Sequence, residues 1–180
     1  MRGALRKGLL LQRLFVRSGP PGARGKEGFP FMLTDWELIE AAREARKNAY
    51  CPYSGFAVGA ALLARSGRVY RGANCENVSF GGTICAERAA LAAALTAGER
   101  RFLTLAVAAG DAPVAPCGLC RQMLAEFGEL RILRAAAQGD EYRETTLSTL
   151  LPEAFTAYRP DEREPADKEK GGRGPYEQAR

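Results

Sequence analysis

The sequence predicts an α/β fold, a three-layer α/β/α sandwich around a mixed sheet of about five strands. Three observations lead there. Apolar strand-like runs alternate along the chain with alanine-rich helical patterns. The run RFLTLAVAA (101–109) lacks polar alternation, as a strand covered on both faces does. Two cysteine-bearing segments fall where a loop gives way to a helix, the edge at which open α/β sheets bind ligands.

The elements follow in chain order. LTDWELIEAAREARKNAY predicts the first helix, with Thr34 and Glu37 as a capping box and Leu33 and Leu38 as the hydrophobic staple around it. Leu38, Ala41, Ala42, Ala45 and Ala49 give its apolar stripe, and CPYSG (51–55) ends it. Residues 56–64 and 68–75 read as a hairpin turning at Ser66-Gly67. VSFGGT is a loop, and ICAERAALAAALTAGE a helix whose small side chains suit packing on the sheet. The strand at 101–109, the loop GDAPVAP and the helix CGLCRQMLAEFG come next. LRILRAAAQ predicts a fourth strand, GDEYRETTL a fifth, and 148–154 a short helix with Phe155 at its end.

The 180 residues suffice for one domain with a sizeable core, and no apolar run is long enough to cross a membrane. Net charge is +5, yet the first 31 residues hold seven basic side chains against one acidic. Residues 32–158 are close to neutral, with thirteen basic and fourteen acidic side chains, and 159–180 balance at six and six. The basic character thus belongs to the N-terminal segment and argues against a nucleic-acid track on the folded part. We read 1–31 as a basic flexible extension or a mis-assigned start, over an organelle transit peptide. Residues 32–158 read as the catalytic domain and 159–180 as a charged disordered tail. A cytoplasmic location and no membrane partner are the expectation.

Five cysteines and no histidine constrain the chemistry. Ser-His-Asp and Cys-His nucleophiles are excluded, as is any metal site with a histidine ligand. A metal must be held by sulfur, and a general base is expected to be a carboxylate. Cys117 and Cys120 lie three apart at the start of one helix, and Cys85 lies at the start of another. Helix N-termini favour thiolates. Two such termini face to face would give one zinc ion three sulfurs and leave a fourth position for water, the pattern of a catalytic rather than a closed structural site. A redox pair, or a site closed by Cys51 or Cys75, are the competing readings. Cys51 and Cys75 are expected to be small buried apolar residues. Glu87, two positions after Cys85, stands where a carboxylate could take a proton from a water at the open position. Arg88 could donate to the sulfurs and offset their surplus negative charge, and Arg121 could do the same.

Cys85-Ala86-Glu87 together with Pro116-Cys117-Gly118-Leu119-Cys120 resembles the zinc-dependent cytidine deaminase superfamily. Tyr53-Ser54-Gly55-Phe56, Val58-Gly59-Ala60, Asn74-Cys75-Glu76-Asn77 and the segment from Leu150 to Phe155 are similar to its small homotetrameric free-nucleoside class, over roughly residues 32–158. The resemblance implies one Zn2+ per subunit on Cys85, Cys117 and Cys120, with Glu87 as the catalytic proton carrier. It implies that Phe56 stacks on the pyrimidine, that Asn74 and Glu76 bind the ribose hydroxyls, and that the Ala86 N–H holds ring O2. Phe155 would close a pocket, that of a neighbouring subunit, and Tyr53 would be another residue shared between subunits. The implied reaction is hydrolytic deamination of cytidine and deoxycytidine with release of ammonia, a step of pyrimidine salvage. Deaminases of related small aminopyrimidines lack the Asn-x-Glu-Asn pattern at 74–77, polynucleotide editing needs a positive track, and a structural zinc module needs a fourth protein ligand.

Overall fold

A computed structural model describes residues 33–156, so the readings of 1–31 and of the tail from 159 lie outside the described residues. Helix α1 (Asp35–Arg46) opens on Thr34, whose hydroxyl accepts from the Glu37 N–H at 3.2 Å while the Glu37 carboxylate accepts from the Thr34 N–H at 2.8 Å. This reciprocal cap meets two donors that the first turn leaves without helical partners. Leu38, Ile39, Ala42 and Ala45 form the buried stripe, which includes Ile39, a residue the sequence reading left out.

Strands β1 (Val58–Ala64) and β2 (Val69–Ala73) form the antiparallel hairpin, each somewhat shorter than its apolar run. Beyond β2, Cys75 makes isolated bridges to Tyr50 and Ile84. The 78–83 loop contains a single 3-10 turn at Phe80–Gly82. Helix α2 (Ala86–Thr96), β3 (Phe102–Ala109), α3 (Gly118–Ala125), β4 (Arg131–Ala135), β5 (Tyr142–Thr146) and α4 (Leu147–Leu150) complete the described chain. The last helix is four residues long, shorter than the 148–154 expected from sequence, with Thr146 as its cap.

The sheet order is β2-β1-β3-β4-β5, and only the β3–β4 pair is parallel. A parallel pair needs a crossover, and α3 supplies it. Alternation along each strand separates the two cores. Ala61, Ala106, Ala108, Leu133 and Ala135 face α1, whereas Ala60, Leu62, Leu105, Val107 and Ile132 face the side of α2. This is the mixed five-stranded three-layer sandwich read from the sequence.

Two glycines set how closely the layers approach. A Cβ on Gly59 would strike the Ala42 carbonyl and the Arg46 backbone of α1, and one on Gly72 would strike the Ala86 carbonyl and the Ala90 N–H of α2. The Gly72 contact seats the N-terminus of α2 near the end of β2. Register places the start of β1, the end of β2 and the end of β3 at one edge: Val58 pairs with Ala109, and Gly59 with Ala73. The loop after β3 leads directly into α3, so two helix N-termini arrive at that edge.

Candidate metal centre and active site

Cys85 is the N-cap of α2 and Cys117 the N-cap of α3, and neither side chain makes a capping hydrogen bond. At a position that usually holds a capping oxygen, these thiols are left to turn toward each other. Cys120, one turn into α3, is fully buried beneath them. The sulfur of Cys117 lies 3.6 Å from that of Cys85 and 3.5 Å from that of Cys120, and all three fall within 4.8 Å of one another. Tetrahedral zinc with bonds of about 2.3 Å sets its sulfurs about 3.8 Å apart, so the cluster fits the ion.

The donor chemistry fits as well. Burial pushes the Cys85 thiol up, helped by its thiol neighbour Cys117. Burial likewise pushes Cys120 well up, helped by the charges of Glu87 and Cys85. For Cys117 burial acts upward too, but hydrogen bonds from the Cys120 backbone and thiol and from Cys85 outweigh it, and its value falls. Only Cys117 is eased toward the thiolate, and a cation among the sulfurs would favour all three thiolates. Among the described residues this is the single cluster of its kind, and it contains neither Cys51 nor Cys75. Cys75 is exposed and Cys51 half-buried, which corrects the expectation that both are buried. They follow the ends of β2 and α1, where no layer covers the rim.

Glu87 occupies the first turn of α2 and is only 5% exposed. Burial pushes its carboxyl up, against the opposing pull of its own backbone N–H, the Cys120 thiol and the Arg88 charge. A carboxyl raised in this way is suited to accepting and returning protons. Ala86 is buried at the first position of the same helix. Arg88 donates through Nη2 to the Thr83 carbonyl at 2.5 Å, and its buried Nε meets no partner. Arg121 bonds the Pro116 and Leu150 carbonyls at 2.6 and 2.9 Å.

Beside this centre, hydrogen bonds tie the candidate substrate residues together. The Asn74 amide accepts from the Val58 N–H at 2.8 Å and donates to the Phe56 carbonyl at 2.9 Å, which bridges the entry to β1. Glu76 accepts from the Tyr53 N–H at 2.9 Å, the Ser54 N–H at 3.2 Å and the Ser54 hydroxyl. Those bonds hold its carboxyl below the usual range, the Ser54 hydroxyl foremost. The Phe56 ring rests against Gly110, where a Cβ would come within 3.2 Å of it and where φ is +54°. Tyr53 meets Phe80 edge to face at 5.8 Å between centroids. Phe155 is tied to α3 through Gln122.

Ser54, Gly110 and Gln122 were not singled out from sequence. Ser54 stands in the motif Tyr53-Ser54-Gly55-Phe56 without an assigned role, and its partner Glu76, like the Phe56 ring against Gly110, is distant in the chain. Gln122 offered one signal, its place two residues after a candidate ligand.

Residues 32–136 match the family described as the cytidine and deoxycytidylate deaminase zinc-binding region. The chain is 51% identical over 123 residues to a cytidine deaminase of Halalkalibacterium halodurans, covering 67% of this chain and 92% of that protein. It is 40% identical over 122 residues to a probable cytidine deaminase of Dictyostelium discoideum, covering 67% and 82%. The crystal structure of cytidine deaminase from Burkholderia pseudomallei superposes with a TM-score of 0.65 at 48% identity, covering 68% of this chain and 100% of that one.

Proposed function

We infer that this chain, which belongs to the cytidine and deoxycytidylate deaminase family, catalyses the zinc-dependent hydrolytic deamination of cytidine and deoxycytidine to uridine and deoxyuridine. The observation that carries this reading is the group of three sulfurs, spaced for one zinc with no fourth ligand among the described residues, beside the buried Glu87 carboxyl on the helix that Cys85 caps.

Cys85, Cys117 and Cys120 would hold the ion, and Arg88, whose buried Nε has no partner, would offset the surplus negative charge of three thiolates. Bound zinc would supply Lewis acidity, which makes water a stronger nucleophile at neutral pH. Glu87 takes a proton from the attacking water and delivers it to N3 of the pyrimidine as the water oxygen adds at C4. The C4–N3 double bond becomes single, and C4 becomes tetrahedral. Glu87 then carries the remaining hydroxyl proton to the amino nitrogen. The C4–N bond breaks, ammonia leaves and the C4 carbonyl forms. The Ala86 N–H holds ring O2. Phe56, backed by Gly110, stacks on the base. Asn74 keeps one N–H and one lone pair beyond its backbone bonds, and with Glu76 it binds the ribose hydroxyls. Tyr53 and Phe155 close the pocket.

The catalytic domain is residues 32–158, supported by the family match and by the described fold. Exposed Tyr53, Phe80, Ile84 and Phe155 support assembly into a homotetramer with shared sites, and no polynucleotide or membrane partner is needed. Among the described residues no helix is long and apolar enough to cross a membrane. A site that needs three reduced sulfurs supports a cytoplasmic location.

Loss of the 4-aminopyrimidine absorbance tests the function. Zinc-loaded protein should convert cytidine, metal-stripped protein should not, and added zinc should restore turnover. Folded, zinc-loaded protein that leaves cytidine unchanged would overturn the assignment.

A further inference from the structure

Gln122 stands on α3 two residues beyond Cys120. Its side-chain Nε2 donates to the Phe155 carbonyl at 2.7 Å, and its Oε1 accepts from the Phe155 N–H at 3.3 Å. One amide thus meets both backbone groups of one residue, as a neighbouring strand would. The adjacent Arg121 holds the carbonyl of Leu150, the last residue of α4, at 2.9 Å, so α3 grips both the end of α4 and the segment after it. Yet the Phe155 side chain is left outside the core, at 67% exposure. Fixing the backbone under a ring that this chain does not bury adds nothing to the ring's packing in this chain. It does fix where the ring stands relative to the helix that presents Cys117 and Cys120.

We propose that Gln122 is a positioning residue: it holds the Phe155 ring in the place from which it closes a nucleoside pocket. The proposal rests on the reading of Phe155 as a pocket-closing residue. Without the clamp the segment spends only part of its time in the closing position, and apparent substrate affinity falls by that fraction. A neutral hydrogen bond is worth about a factor of five in an equilibrium, so losing both bonds weakens closure about tenfold or more.

The test measures kcat and KM for cytidine, zinc content and unfolding midpoint in Gln122→Ala, Gln122→Glu, Phe155→Ala and the Gln122→Ala/Phe155→Ala double variant. Gln122→Glu keeps an acceptor for the Phe155 N–H but turns a second acceptor toward its carbonyl. Both Gln122 variants should raise KM about tenfold, with zinc retained and kcat changed by less than about threefold. The double variant should be no worse than Phe155→Ala, because two residues acting through one contact do not add. If Phe155→Ala raises KM while Gln122→Ala does not, the clamp is idle and the reading of Phe155 survives. If the effects add, Gln122 works through something else and the proposal falls. Zinc loss or unfolding in both Gln122 variants would assign it a purely structural role and also overturn the proposal. An unchanged KM in Phe155→Ala would sink the pocket-closing reading and the clamp with it.

Discussion

A carboxyl as enclosed as that of Glu87 would be unfavourable in a helix whose only task was to cover a sheet. Burial raises its pKa, and no lysine or arginine is ion-paired with it among the described residues. Exchanging its acid–base capacity for an amide of the same shape isolates its role. Glu87→Gln should keep the fold and one zinc per chain while kcat drops about 10²–10⁴-fold or more, measured by steady-state turnover and metal analysis. Turnover close to wild type would remove Glu87 from the mechanism. The sulfur cluster was legible in the sequence because its chemistry is spelled locally: Cys117 and Cys120 share one helical turn, Cys85 starts another helix, and the absence of histidine left sulfur as the metal donor. What surrounds it was less so. That Asn74 bridges Phe56 and Val58, or that Glu76 gathers Tyr53 and Ser54, depends on side chains brought together by the hairpin and the loop before it. The burial of Cys51 and Cys75 was misjudged because residue type predicts burial only where a layer covers the position.

At the scale of elements, the helices meet the sheet through backbone as much as through side chains. Gly72→Ala would drive a methyl into the backbone of α2 at Ala86 and Ala90. The helix must shift, and the strain should cost about 3 kcal/mol or more, read as a lower midpoint in denaturant. Because α2 carries Cys85 and Glu87, the same variant should lose activity even where it stays folded. The α1 cap gives a pH-dependent prediction. Bonds from the Thr34 backbone and hydroxyl hold the Glu37 carboxyl below its ordinary 4.5. A depressed acid contributes stability that is fully present above the unfolded pKa and is lost as pH falls through the folded value. Thr34→Ala should therefore cost about 1 kcal/mol at pH 7. The gap between wild type and Glu37→Gln, followed by thermal unfolding at several pH values, should shrink below pH 4.5. Acid effects on the thiols are common to both proteins and drop out of that difference. The order and type of the elements followed from periodicity, and their ends did so less closely. β1 begins at Val58 rather than at residue 56 because Asn74, a partner distant in sequence, captures the preceding backbone.

For the whole molecule, the exposed rings of Tyr53, Phe80 and Phe155 bear on the proposal that sites are shared between subunits. If Phe155 closes a neighbour's pocket, two crippled chains should repair one another. Glu87→Gln subunits lack the proton carrier but keep the ring; Phe155→Ala subunits keep the carrier but lack the ring. Refolded together, they should give a fraction of sites with near wild-type KM that neither preparation shows alone. A mixture that behaves as the sum of its parts would confine each site to one chain. The metal centre also has a consequence for the chain before it folds. Cys85 and Cys117 are 32 residues apart in sequence, and β3 lies between them. An ion gripping all three sulfurs is a cross-link. While it stays bound, it closes a loop whose entropy, for a disulfide of that span, would be worth about 4 kcal/mol. Unlike a disulfide it needs no oxidant, and its strength is adjustable: the supply of free zinc, rather than the redox state of the compartment, then sets how firmly the two halves of the sheet are held together.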